Sequence, residues 1–125
     1  MVVSILSLLS LGSSPASAGP YIDSSNAGCL WDEAADDLYW WVDAHIYDDD
    51  GDVVRSVFQI VDRDGAVLLT EEMALMYADG DYSYWSYDFH EFDGGPECGQ
   101  TYRVLVDAWD ATGNHGHTEY FSRGR

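Results

Sequence analysis

The run Gly99-Gln100-Thr101-Tyr102-Arg103-Val104-Leu105-Val106-Asp107-Ala108-Trp109-Asp110-Ala111-Thr112-Gly113-Asn114 carries the clearest folding signal in the chain. Tyr102, Val104, Val106 and Ala108 share one parity and form an apolar side. Arg103, Leu105, Asp107 and Trp109 occupy the other. Successive side chains of a strand point to opposite faces, so a period of two with one apolar side marks a strand buried on one face. Asp110 to Asn114 is turn chemistry, and His115 to Ser122 resumes as a further strand.

Upstream, Leu38, Trp40, Val42, Ala44 and Ile46 form a second apolar parity, opposed by Tyr39, Trp41, Asp43, His45 and Tyr47. Asp48-Asp49-Asp50-Gly51-Asp52 closes that strand with a turn. Val53 to Val61 is the next strand, with Phe58 and Ile60 expected inward although Val57 and Val61 blur the parity. Asp62-Arg63-Asp64-Gly65 is a hairpin signal, since Asp-Gly suits a turn that needs positive φ. Ala66 to Leu69 resumes a strand. Thr70 to Tyr77 contains helix-tolerant residues, so a helical turn could interrupt the sheet there. Tyr82 to Phe89 is a strand between Asp79-Gly80-Asp81 and Asp93-Gly94-Gly95-Pro96. Residues 19–37 are polar and turn-rich and read as a short first strand near Tyr21-Ile22, then an irregular connection. Evenly spaced short strands without helical periodicity predict an all-β antiparallel sandwich of about seven strands, with its core over residues 38–122.

The pattern Tyr102-x-Val104-x-Val106-x-Ala108-x-Asp110 followed by Gly113-Asn114 resembles the F strand and F–G turn of fibronectin type III and bacterial immunoglobulin-like domains. The resemblance implies an Ig/FnIII-like sandwich of an exported or cell-surface protein, with Tyr102 as a corner tyrosine whose hydroxyl bonds nearby backbone. Polycystic-kidney-type and cadherin-like sandwiches end similarly, so the subfamily stays open. The resemblance does not imply the antibody-type core disulfide, because neither cysteine lies in the strands that carry it.

Residues 1–18 read as a signal peptide. A short apolar run with Val2, Val3, Ile5, Leu6, Leu8, Leu9 and Leu11 precedes Ala16-Ser17-Ala18, a small-x-small site for cleavage before Gly19. No basic residue precedes the run, so either the true start lies upstream or the signal is atypical. The run is too short to span a membrane permanently, and no membrane insertion is expected after its removal. Cys29 and Cys98 are the two cysteines. In an exported chain they are expected to pair as one disulfide, formed between two connections at the same end of the sandwich. The expected location is extracellular, at the cell surface or periplasmic. The formal net charge of −18 opposes phosphate backbones and anionic lipid, which excludes nucleic acid as a natural partner.

Three groups of side chains are candidates for binding. In an alternating topology the loops bearing Asp48 to Asp52, Asp79, Asp81, Asp110 and Asn114 gather at one end, where clustered carboxylates could take calcium. Neither Asp48–Asp52 nor Asp62–Gly65 fits the twelve-residue EF-hand loop, whose first ligand would fall on Ile46 or Ile60. His115 and His117 could hold zinc with a third ligand such as Asp110, whereas His45 and His90 have no partner visible in sequence. The outward residues Tyr39, Trp41, Tyr47, Tyr82 and Tyr84 form the candidate binding surface, since flat aromatic faces suit sugars and proteins alike; cross-strand stabilisation is the competing role. No nucleophile elbow, phosphate-binding glycine loop or His-Glu-x-x-His is present. No catalytic, cofactor-binding or metal-binding residue is therefore assigned, and no cofactor is expected. The expected function is a non-catalytic binding or adhesion module for a protein or glycan at the cell surface. A structural spacer, or a carbohydrate-binding accessory module with calcium at the acidic loops, is the alternative.

Overall fold

The computed structural model describes residues 19–122. The expected export signal at residues 1–18 lies outside the described residues. Eight strands are present among the described residues: β1 (Tyr21–Asp32), β2 (Asp37–Tyr47), β3 (Val53–Val61), β4 (Val67–Glu72), β5 (Ala74–Asp79), β6 (Tyr82–His90), β7 (Tyr102–Asp110) and β8 (His115–Ser122). They form two antiparallel four-stranded sheets, ordered β1-β2-β6-β5 and β4-β3-β7-β8. The fold is an all-β sandwich.

The alternating patterns fill the space between the sheets. Trp40, Val42, Ala44 and Ile46 of β2 face Phe58 and Ile60 of β3 and Tyr102, Val104, Val106 and Ala108 of β7 in one buried cluster. Aromatic contacts tie the layers: Phe58 meets Tyr87 at 5.6 Å between ring centroids, and Trp40 meets Tyr102 edge-on at 5.9 Å. The Tyr102 hydroxyl accepts the backbone N–H of Glu97 at 2.8 Å, the local bond expected of a corner tyrosine. Val57 and Val61 of β3 are also buried, which is why that strand's sequence shows no clean alternation.

Two expectations are corrected. The segment 19–37 is not a short strand followed by an irregular connection. β1 runs twelve residues and pairs with β2 from Tyr21↔Tyr47 to Asp32↔Asp37, with one register shift between Ile22 and Ser24. The ladder supplies what local propensity withholds, because strand preference is dominated by neighbours. Its polar residues also find partners: Ser25 Oγ donates to the Asp43 carbonyl at 2.6 Å and bonds Tyr120 Oη at 2.9 Å. Nor does Thr70–Tyr77 contain a helical turn. β4 and β5 are separate strands in opposite sheets, and buried Met73 sits at the crossing with its N–H donating to the Ser56 carbonyl at 2.8 Å. A few helix-tolerant residues do not overcome the cost of helix nucleation when two ladders compete for their backbone.

Cys29 and Cys98 form the expected disulfide, with Cα atoms 5.8 Å apart. Cys98 lies in the β6–β7 connection as expected. Cys29 instead lies within β1, opposite Trp40, towards the end of the sandwich remote from Asp48.

Candidate functional site

Two regions concentrate side chains that could bind a ligand: the outer face of the β1-β2-β6-β5 sheet and the end where the β2–β3, β5–β6 and β7–β8 loops meet.

On the outer face, the β2–β6 register sets Tyr47 opposite Tyr82, His45 opposite Tyr84, Trp41 opposite Asp88 and Tyr39 opposite His90. All five aromatic residues singled out in the sequence therefore stand on this side, while Trp85, Tyr87 and Phe89 turn inward. They are not one uniform platform. At one end, Tyr21 pairs with Tyr47 and Tyr47 with Tyr82, while the Tyr77 ring of β5 lies 6.2 Å from that of Tyr82. This band takes one tyrosine from each strand of the sheet. Tyr21, Tyr47 and Tyr77 are 64%, 40% and 55% exposed. Tyr21 and Tyr77 are not found by alternation in the sequence, because the segments around them carry weak strand signals of their own.

His45 anchors the band from within, its Nδ1 2.6 Å from Tyr82 Oη and its ring 4.8 Å from that of Tyr84. Burial, reinforced by Tyr47 and Asp43, raises the Tyr82 hydroxyl above its ordinary range; burial and then Asp43 do the same for Tyr84. Both remain neutral at physiological pH. Tyr39 lies apart, at the far end of the sheet. There a groove of about 650 Å³ is lined by Trp31, Asp32, Glu33, Tyr39, Asp88 and His90 among others. His90 Nε2 lies 3.2 Å from Asp32 Oδ2, a partner not apparent from sequence.

The acidic loops do converge. Asp48 N–H donates to the Asp81 carbonyl at 2.8 Å, and Ala111 N–H donates to the Asp52 carbonyl at 3.1 Å. The approach requires glycine at position 51, where φ is +65° and a Cβ would come within 2.5 Å of the Gly80 carbonyl oxygen. Carboxylate oxygens of Asp48, Asp50 and Asp52 lie within 4.8 Å of one another. Burial pushes the Asp48 carboxyl up; the Asp50 N–H opposes this, and Asp52 and Asp110 add to it. Asp110 behaves differently. Burial alone would raise its carboxyl, but bonds from Thr112 and Asn114 hold it below the usual range.

The expected His115–His117–Asp110 grouping is corrected. Asp110 is committed to its own turn, and the carboxylate between the two rings is Asp107, with Oδ1 2.6 Å from His115 Nε2 and 2.8 Å from His117 Nδ1. The β7–β8 register sets Asp107 opposite His117 and Trp109 opposite His115, which brings the β7 carboxylate under both rings. The arrangement is complete as a hydrogen-bonded cluster: His117 Nε2 reaches Glu119 Oε2 at 3.0 Å, and His115 stacks on Trp109.

Fold and side chains together define a disulfide-bonded all-β sandwich with a tyrosine band on one sheet and a carboxylate cluster at one end. No protein-family model matches the chain, and no curated protein matches it. The crystal structure of a Bordetella pertussis protein provisionally described as ApaA is similar at a TM-score of 0.46 and 10% identity, over 78% of this chain and 88% of that one. So slight a likeness carries no argument about this protein.

Proposed function

We infer that the protein is an exported, non-catalytic binding or adhesion module of the immunoglobulin-like or fibronectin type III-like kind, engaging a protein or glycan at the cell surface. The tyrosine band carries this reading. Four strands converge to present Tyr21, Tyr47, Tyr82 and Tyr77 side by side, and tyrosine combines a large apolar contact area with a polar tip at low cost in side-chain freedom. Cross-strand stabilisation alone does not require three of the four to stand so far out of the sheet. The subfamily reading is supported by the Tyr102 corner bond and by the Tyr-x-Val-x-Val-x-Ala strand. Export is supported by the disulfide, which fits an oxidising compartment, and by the apolar start of the chain.

The test is binding of the tagged 19–125 chain to whole cells and to a glycan array, beside a Tyr47→Ser/Tyr77→Ser variant. The variant is expected to melt near the parent and bind at least about tenfold more weakly, since losing a central aromatic anchor commonly costs over 1 kcal/mol. Equal binding by the two proteins would remove the band from the reading. Binding to nothing would leave the spacer role.

A sugar-binding reading draws on a separate observation, the groove at the other end of the same sheet. Trp31, half exposed, stands there beside the carboxylates of Asp32, Glu33 and Asp88, which pairs a flat apolar surface with acceptors for hydroxyl groups. Glycan binding abolished by Trp31→Ala but kept by the Tyr47/Tyr77 variant would select it.

A further inference from the structure

The turns that follow β2, β3 and β7 each begin with an aspartate whose carboxylate caps the turn. Asp62 Oδ1 accepts the N–H groups of Asp64 and Ala66, both at 2.9 Å. Asp110 Oδ1 accepts those of Thr112 at 3.0 Å and Asn114 at 2.8 Å. Asp48 Oδ1 accepts that of Asp50 at 2.9 Å. The three differ in what meets the second oxygen. Asp62 lies nearer the surface, within reach of water. Asp48 and Asp110 are each only 4% exposed.

For Asp110 the second oxygen is provided for. Asn114, four residues on, donates its side-chain N–H to Oδ2 at 3.1 Å. Four residues on from Asp48 stands Asp52, and an ionised carboxylate has nothing to donate. Asp48 Oδ2 and Asp52 Oδ1 are both buried with no hydrogen-bond partner. None of the ion pairs among the described residues reaches Asp48, Asp50 or Asp52. Buried, uncompensated carboxylates are costly, and two facing each other call for a cation or a shared proton between them.

We propose that Asp48, Asp50 and Asp52 form a calcium site, with Asp48 Oδ2 and Asp52 Oδ1 turned to the ion where Asp110 and Asn114 instead satisfy each other. The donor set is all oxygen, which suits calcium and not zinc. Separations of up to 4.8 Å match donors placed around a common ion, since twice a calcium–oxygen distance of about 2.4 Å is the greatest separation such donors reach. Magnesium, with oxygens at about 2.0–2.1 Å in strict octahedral geometry, is the poorer match. Water completes the coordination on the side of exposed Asp50. The ion locks the β2–β3 loop, which the Asp48 N–H and the Asp52 carbonyl already bind to the β5–β6 and β7–β8 turns.

The test titrates calcium chloride into chelator-treated 19–125 chain in 1 M sodium chloride, which screens unspecific attraction. Calorimetry should show one calcium per chain, and the melting temperature should rise with saturation. Magnesium chloride or extra sodium chloride of matched ionic strength should do neither. Asp52→Asn installs the donor that Asn114 supplies in the other turn. It should melt in chelator at or above the calcium-free parent and lose the calcium response. Asp50→Asn should melt in chelator no lower than the calcium-free parent, since it removes one of three neighbouring like charges, and weaken calcium binding at least tenfold. Equal shifts with calcium and matched sodium chloride, or an undiminished calcium response in Asp52→Asn, would overturn the site; the two carboxylates would then share a proton.

Discussion

Replacing Cys29 and Cys98 together by alanine should remove roughly half of this domain's stability, and the size of the loss follows from where the two residues sit. They are 69 residues apart in sequence. Closing a loop of that length in the unfolded chain removes about 15 cal/mol/K of entropy, or about 4 kcal/mol at 25 °C. Cys29 is also part of the buried cluster, so losing its sulfur adds roughly 1 kcal/mol of packing. Domains of this size hold about 5–15 kcal/mol in total. The effect should be structural as well as entropic. β1 is the edge strand of its sheet, with β2 as its one ladder partner; side-chain bonds from Tyr120 and Ser122 of β8 reach it at Ser25 and Ala27, and the disulfide fastens it to the connection that leads into β7. Trp40, opposite Cys29, donates its indole N–H to the Pro96 carbonyl at 3.2 Å, two residues before Cys98, so one corner depends on both. Urea unfolding followed by tryptophan fluorescence should show a lower midpoint and a steeper dependence on urea, because the unfolded chain expands without its cross-link. Parent protein reduced with dithiothreitol should unfold near the double variant. A loss below about 1 kcal/mol in both would refute the argument that this bond restrains the unfolded chain.

Tyr102→Phe leaves the Glu97 N–H without its partner and should cost about 1–2 kcal/mol by the same urea assay; an unchanged midpoint would count against the corner bond. Asn114→Asp converts the satisfied β7–β8 turn into a second facing carboxylate pair beside buried Asp110, and should cost about 1–3 kcal/mol in calcium-free buffer. The His117 ring is raised above its ordinary 6.5 by Glu119 first and Asp107 second. Its contribution is therefore complete below pH 6.5 and fades as pH rises through the raised value. At 39% side-chain exposure the effect is small, and His117→Gln should flatten the dependence of the melting temperature on pH above 6.5. A parent slope retained in that variant would assign the dependence elsewhere.

Much of the sandwich is legible in the amino-acid sequence, because its central strands lie between unlike environments. β2 and β7 meet the core on one face and solvent on the other, so Trp40, Val42, Ala44 and Ile46, or Val104, Val106 and Ala108, alternate with neighbours that, Leu105 apart, are polar or aromatic. Two cysteines allow one pairing within the chain. The meeting of the acidic loops follows from runs that alternate in direction, β4 and β5 together making one run that changes sheet at Met73. β1, β4 and β5 are less legible because edge strands are held by the ladder beside them and bury little of their own, as the largely exposed β5 shows.

The candidate sites depend on neighbours that are distant in sequence. Tyr21 and Tyr77 join Tyr47 and Tyr82 only because registers between four strands bring them abreast, and Asp107 rather than Asp110 meets the histidines because β7 pairs with β8 in one register and not another. The sequence alone does contain the contrast between Asp48 followed four residues later by Asp52 and Asp110 followed by Asn114. In water that contrast is worth little, since solvent donates to any free oxygen. Burial turns it into a requirement: with water excluded, one turn carries its own donor and the other must find positive charge from outside the chain.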